Sequence, residues 1–286
     1  MHRFLIPTVM LLVSTFAHAD QGKVVTVRGP AELAAYYDSI GYNVRTNPKV
    51  LQAIPRTQFT RVPQNWKWNE GGIPLKKSAF FRAAASGILQ VNELIFADRR
   101  KLEALNLSLM GDVDQAWFLS LAKRYSVEVK DPSSAKIELL MRVDAIPVSL
   151  ALAQSAVESG WGGSRFARKG NALFGQWTTS GGIKAKGSNA RLATFATPGD
   201  SLVAYMRNLN THGSYAGLRK ARAARRAAGK SLSGHAAAAY LSSYAETGQE
   251  YVELLQGMIK HNGLGIADGA ALAETPVVTI KPIDPK

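Results

Sequence analysis

Cysteine is absent from all 286 residues, and that one gap closes several routes at once. The chain has no thiolate nucleophile, no cysteine-held zinc and no disulfide framework. Histidine is scarce as well. His2, His18, His212, His235 and His261 are the whole set, with no pair at metal-ligand spacing and no H-E-x-x-H. Nothing in the sequence calls for a metal or a cofactor. G-x-S-x-G and G-x-G-x-x-G are missing too. Ser120-Leu-Ala-Lys123 and Ser133-Ser-Ala-Lys136 match S-x-x-K, but neither S-D-N nor K-T-G accompanies them, so a penicilloyl-type serine has no support. Acid is in short supply. The chain carries 21 Asp plus Glu against 35 Lys plus Arg, a formal net charge of +14. What survives is carboxylate or serine chemistry, or plain binding.

At 46% hydrophobic, 8% aromatic and 20% charged residues, the composition is that of a globular protein with ample core, in one good-sized domain or two small ones. Met1-His2-Arg3 opens the chain, Phe4 to Phe16 is a nearly unbroken apolar run, and Ala17-His18-Ala19 fits small-x-small cleavage. Residues 1–19 therefore read as a secretory signal peptide, since the run is shorter than the ~20 residues that span a bilayer. An uncleaved membrane anchor is the other reading. Export places the protein in the periplasm or cell envelope. A strongly basic exported protein meets anionic polymers rather than intracellular nucleic acid, so no nucleic-acid partner is expected.

Residues 20–75 hold Pro30, Pro48, Pro55, Pro63 and Pro74 among polar residues and read as an irregular lead segment anchored by Trp66 and Trp68. A helical pattern begins near Ser78, with Phe81, Ile88 and Ile95 seven apart. Asp114 is a candidate N-cap for a helix over 115–125, and Ser133 or Ser134 for another. Pro147 is suited to a first helical position. The stretch 171–197 reads as a small hairpin lobe. Asp200 is a candidate cap for a helix carrying Leu202, Tyr205, Met206 and Leu209. Thr247 and Glu250 have capping-box spacing ahead of a last helix. Residues 264–286 read as a flexible tail. The predicted architecture is mainly α, with a β-lobe inserted after a central helix.

That central helix, Pro147 to about Ser159, is apolar nearly all round, the mark of a buried helix. Glu158 sits in its last turn. Apolar surroundings disfavour the charged form, and so does the negative end of the helix dipole. Both push the carboxyl toward staying protonated, as a glycosidase proton donor must. Trp161 is one turn on and can supply an apolar wall. A structural glutamate paired with Arg165 or Arg168 is the other reading. The run Arg219, Lys220, Arg222, Arg225, Arg226 and Lys230 contains no acid. It is either a solvated helix face or a docking face, worth about 1 kcal/mol per basic residue near an anionic surface.

Ala156-Val-Glu158-Ser-Gly-Trp161-Gly, Ser164-Arg-Phe-Ala-Arg168 and Asn171-Ala-Leu-Phe174-Gly175 together resemble the glucosaminidases, lysozyme-like wall hydrolases of glycoside hydrolase family 73. More narrowly they are similar to the Bax-like proteins of bacterial envelopes. The likeness extends over roughly residues 76–260, through Arg142-Val-Asp144-Ala-Ile146-Pro147, Tyr205 to His212, and Tyr244 with Tyr251. It implies a lysozyme-like helical domain over 76–263, with a core over 140–263. It also implies cleavage of the β-1,4 bond after N-acetylglucosamine in peptidoglycan glycan strands, by a monomer. Glu158 then takes the general-acid position, Tyr244 and Tyr251 stand near the mouth, and Trp161, Asn171, Phe174 and Gly175 bind substrate.

One departure bears on mechanism. Many relatives carry a second acid in the β-lobe, expected here between about 177 and 195, whereas this chain has no Asp or Glu from 159 to 199. Asp200 and Glu246 are the next candidates. Substrate assistance by the N-acetyl group is the alternative, with Tyr244 and Tyr251 orienting it. Three classes stay open: a hydrolytic glucosaminidase, a lytic transglycosylase with a single glutamate, and a non-catalytic wall-binding protein. The leader makes its own prediction. The exported protein begins at Asp20, which N-terminal sequencing reads directly, and a form that retains Met1 or Arg3 is anchored instead.

Overall fold

The computed structural model describes residues 22–42, 53–185, 187 and 189–284, and the expected leader at 1–19 lies outside them. Ten helices and six short strands are present among the described residues. The fold is mainly α, as expected. None of the described helices is long and apolar enough to cross a membrane. The chain divides into two compact units. One comprises the described residues up to Ile88, Gln154–Val203 and the segment from Gly269. The other comprises Leu89–Ala153 and Ala204–Asp268. The division falls within the helices α2 (Gly72–Ala104), α5 (Val148–Ser159) and α7 (Pro198–Thr211).

The first unit contains the lead segment, which is more regular than its composition implies. It forms β1 (Val24–Val27), α1 (Pro30–Ser39) and β2 (Thr57–Phe59). Pro30 starts α1 at a position where a missing N–H costs nothing. Leu33 and Tyr37, one turn apart, are fully buried. The expected flexible tail is overturned. Val278–Pro282 forms β6, the central strand of a three-stranded sheet in which β1 and β2 both run parallel to it. Ile280 there is fully buried, and an apolar residue with such a site has no reason to stay in water. Beyond β6, Asp284 accepts from the backbone N–H groups of Gln64 and Asn65 at 2.8 and 2.9 Å and pairs with Arg61 at 2.6 Å. Burial alone would raise the Asp284 carboxyl, but those two N–H groups and Arg61 outweigh it and hold it below its usual range. The indole N–H of Trp66 donates to the carbonyl of Ile283 at 2.9 Å.

The β-lobe of this unit consists of β3 (Trp177–Thr178), β4 (Ile183–Lys184) and β5 (Arg191–Leu192), antiparallel with β5 central. Helix α7 opens with a capping box. Thr197 is its N-cap, with its hydroxyl accepting from the N–H of Asp200 at 3.2 Å while Asp200 accepts from the N–H of Thr197 at 2.9 Å. Asp200 is thus the third residue of the helix rather than its cap.

The second unit packs the rest of α2 with α3 (Asp112–Arg124), α4 (Pro132–Arg142), α8 (Ala216–Ala227), α9 (Gly234–Ala238) and α10 (Gln249–His261). Leu102, Phe118, Leu121, Leu139, Leu218 and Leu255 are among its fully enclosed side chains. Three caps differ from expectation by a few residues. Gly111 rather than Asp114 precedes α3, and Asp131 rather than Ser133 or Ser134 caps α4, accepting from Ser134 N–H at 2.8 Å. Gly248 with φ 58° precedes α10, so Thr247 and Glu250 form no capping box. The segment beyond 264 is again tied in. The carboxylate of Asp268 accepts from the N–H groups of Ser149 and Gly234, both at 2.8 Å, and from the Ser149 hydroxyl at 2.9 Å. One anion thereby satisfies the first turns of two helices, where the dipole favours negative charge.

The basic run is the clearest correction. Arg219 and Arg222 are each only 5% exposed, so α8 is not a uniformly solvated or docking face. Asp144, 2% exposed, gathers arginines from two helices. Arg226 grips both carboxylate oxygens, Arg222 Nε lies 3.4 Å away and Arg99 Nη1 3.7 Å away. Arg222 also donates to the carbonyls of Asp144 and Ala145 at 3.1 and 3.0 Å, and Arg99 to that of Leu140 at 2.7 Å. Burial pulls the Arg222 guanidinium down to about 10, with Asp144 opposing the shift. It stays charged at neutral pH. Removing one member of a buried ion cluster leaves the others uncompensated, at a cost of about 3–5 kcal/mol. Arg222→Ala should lose stability on that scale in urea denaturation. Arg225→Gln, which loses only an exposed bond to the Ser231 carbonyl, should stay within about 0.5 kcal/mol of wild type.

Candidate active site

Helix α5 is closed to water from Val148 to Ala156 and opens only at its last turn. Glu158 lies there, half-buried. The helix stops in a doubly bonded C-terminal turn. Trp161 N–H reaches the carbonyl of Ala156 at 2.9 Å and Gly160 N–H that of Val157 at 3.3 Å. Gly160, Trp161 and Gly162 all have φ between 55° and 75°, a run that two glycines make affordable and that strains the tryptophan. Ser159 braces it. Its hydroxyl donates to the Ser155 carbonyl at 2.5 Å and accepts from Gly162 N–H at 2.8 Å. Glu-Ser-Gly-Trp-Gly is therefore a helix stop that fixes the carboxyl and throws the indole outward.

Trp161 is half-buried and packs edge-on against Phe81 and Phe80, with centroids 5.1 and 5.6 Å away. Lys76 and Lys77 place their ammonium groups 5.9 and 5.8 Å from its ring centre. An indole held this way with one part exposed suits contact with a sugar. Gly175 is where the second motif meets the first. A Cβ on Gly175 would lie 3.5 Å from Glu158 Oε2, so the missing side chain keeps space beside the carboxyl.

The other residues expected to bind substrate serve the frame. Asn171 ends α6 (Arg165–Gly170) in a left-handed conformation, φ 51°. Its side-chain oxygen accepts from Val62 N–H at 2.8 Å, and its amide donates to the carbonyls of Phe195 and Ala196 at 3.0 and 2.9 Å. That amide ties the lead segment to the β-lobe and has no donor left for a ligand. Phe174 is 1% exposed and fills the core behind the site. Arg165 and Arg168 donate to the carbonyls of Lys184 and Gln64 at 2.6 and 3.0 Å.

Tyr244 and Tyr251 belong to the second unit. Their rings stack 5.5 Å apart and 3° from parallel, with Tyr215 against Tyr244 at 6.1 Å. Tyr251 is 4% exposed and packs the core of its unit, while Tyr244 is half-buried. Glu246, in the same unit, is exposed. His212 caps a short turn through Nδ1, which accepts from Ser214 N–H at 3.3 Å. Burial and Arg219 hold its imidazole below the ordinary value. That is a structural role. Among the described residues no group of acids and histidines could hold a metal ion.

The sequence marks Trp66 and Trp68 as anchors of the lead segment without showing what they pack against, and it carries no sign of Gln176. The loop carrying Trp66 and Trp68 packs beside the helix stop, with the Trp68 and Phe80 ring centroids 6.3 Å apart and edge-on. A Cβ on Gly162 would meet the Trp68 ring at 3.5 Å. Gln176, next to Gly175, is 6% exposed, and neither its amide nitrogen nor its oxygen has a hydrogen-bond partner. Nothing in a Phe-Gly-Gln-Trp string signals an orphaned amide, because its partners depend on tertiary neighbours.

The family described as Glucosaminidase, mannosyl-glycoprotein endo-beta-N-acetylglucosaminidase, matches residues 133–264. Protein bax of Escherichia coli (strain K12) is 35% identical over 198 residues, covering 67% of this chain and 71% of that protein. The catalytic domain of the autolysin Auto from Listeria monocytogenes aligns with a TM-score of 0.34 and 18% identity, over 60% of this chain and 96% of that domain.

A buried amide without partners costs about 1–3 kcal/mol, and Gln176 directly follows Gly175, whose notional Cβ lies 3.5 Å from Glu158 Oε2. Gln176→Met, similar in length and apolar, should raise the melting temperature and lower turnover. An unchanged turnover would make Gln176 a packing residue.

Proposed function

The chain belongs to the glucosaminidase family, and from that premise we propose that it is an exported endo-β-N-acetylglucosaminidase that cuts the β-1,4 bond after N-acetylglucosamine in peptidoglycan. The observation that carries this reading is the meeting of Glu158 with the side-chain-free edge at Gly175, 3.5 Å from Oε2 to a notional Cβ. A carboxyl in the open last turn of an otherwise buried helix is a suitable proton donor to a glycosidic oxygen.

With no acid between 159 and 199, the second catalytic group is the substrate's own acetamido. As Glu158 gives its proton to the leaving oxygen and the C1–O bond breaks, the acetamido oxygen bonds to C1. Water then attacks C1, the acetamido oxygen leaves, and Glu158 takes a proton from that water. The indole of Trp161 supports the sugar. Tyr244 and Tyr251 stack on each other within the second unit, Tyr244 half-buried and Tyr251 in its core. Residues 1–19 direct export, which delivers the protein to the wall.

A single glutamate also suits a lytic transglycosylase, in which a sugar hydroxyl replaces water. Fragment masses from purified peptidoglycan separate the two. A reducing N-acetylglucosamine end is expected, and an anhydro-muramyl end would establish the transglycosylase. Binding with no sugar released would leave a wall-binding protein. Glu158→Gln should reduce turnover by at least about 10²-fold. Asp200→Asn and Glu246→Gln should remain active, and an inactive Glu246→Gln would restore a carboxylate pair.

A further inference from the structure

A groove of about 590 Å³ is lined both by the helix stop after Glu158, Gly160 included, and by the lead segment. Its chemistry is uneven. Trp66 and Trp68 supply indole surface, and Lys67, Lys76 and Arg168 supply three cations, with no acid in the lining. The bonds those cations make do not neutralise them. Lys76 donates to the side-chain oxygen of Asn69 at 3.1 Å and Arg168 to the carbonyl of Gln64 at 3.0 Å, both uncharged acceptors. Arg168 Nε and the indole N–H of Trp68, on a side chain 8% exposed, have no acceptor. The loop is nonetheless held firmly by Asp284 and by the Trp66–Ile283 bond. Like charges fixed together with unused donors form a site for an anion. Trp66, Lys67, Trp68, Asn69 and Lys76 lie outside the residues matched by the glucosaminidase family, 133–264, whereas Gly160, Gly163, Ser164 and Arg168 lie within them.

We propose that this groove binds the acidic stem peptide carried by the glycan strand, with Lys67, Lys76 and Arg168 receiving its carboxylates and the two indoles its aliphatic part. It thereby makes the enzyme prefer peptide-bearing over bare glycan. The inference rests on the peptidoglycan reading above. Two observations select the stem peptide over other anions. The groove reaches within two residues of Glu158 along the chain, so an anion held there belongs to the strand being cut. It also sets two indoles beside the three cations, which suits a ligand with both carboxylates and aliphatic parts, whereas an anionic membrane requires only a basic face.

The test uses the full mature chain and two soluble probes, a wall disaccharide bearing a peptide with free carboxylates and the same disaccharide without it. Lys67→Glu should weaken the peptide-bearing probe about tenfold or more, as expected for loss of one charge-assisted bond. Affinity for the bare probe should be unchanged. Lys67→Gln, which introduces no repulsion, should show a smaller loss in the same direction and guards against a misfolded variant. Equal effects on both probes, or none, would overturn the proposal. So would a wild-type protein whose Lys67-dependent binding is to anionic-lipid vesicles instead. Sugar release from peptidoglycan, measured in parallel, separates the two readings. Release without discrimination between probes sinks only the groove, whereas discrimination without release sinks only the hydrolase.

Discussion

The constraint from which the site follows is the burial of α5. A helix enclosed from Val148 to Ala156 cannot expose a carboxyl from its middle without an uncompensated charge in the core. The acid has to sit where the helix breaks into solvent, and the break has to be rigid. Ser159 and the two glycines around Trp161 meet both demands. The hydroxyl replaces a backbone partner for Gly162, and the glycines permit three successive residues with positive φ. The same turn that ends the helix holds an indole against Phe80 and Phe81. Structure and chemistry are carried by one five-residue string.

The approach to that helix is fixed by a different device. The last turn of α4 runs into an irregular link over 143–147, and most of the carbonyls from Leu140 to Ile146 are engaged. Arg99, Arg222, Asn92 and Asn210 donate to those of Leu140, Val143, Asp144, Ala145 and Ile146. Asp144 provides the charge that lets two buried arginines remain there. Such a cluster is a poor source of net stability, since desolvation offsets much of the attraction. It is demanding geometrically, because each donor has one set of acceptors and a misplaced loop leaves charge unpaired. Asp268 acts similarly at the first turn of α5.

The two ends of the chain have roles that composition conceals. A Pro-rich lead and a Gly/Ala-rich ending both resemble unstructured segments, yet their strands join in one parallel sheet around β6. Parallel pairing joins segments distant in sequence, so neither strand carries a hairpin signal that would reveal its partner. Through Asp284 and Ile283 the C-terminal segment also holds the loop of Trp66 and Trp68. A sheet remote in sequence from the glutamate thus supports the walls beside it.

Periodicity and local strings in the sequence determined the mainly α character, the small lobe after residue 171, the buried central helix and the singling out of Glu158 and Trp161. Each of these is written in residues within a turn or two of one another, where sterics and backbone bonding are local. Only the tertiary structure decided that Asn171 braces the frame, that Phe174 and Tyr251 are core, that Arg219 and Arg222 point inward, and that Gln176 is left without partners. An arginine or an amide reads the same whether solvated or enclosed. What distinguishes the two cases is which distant segment packs over it, and that depends on burial summed over the whole fold rather than on any stretch of sequence.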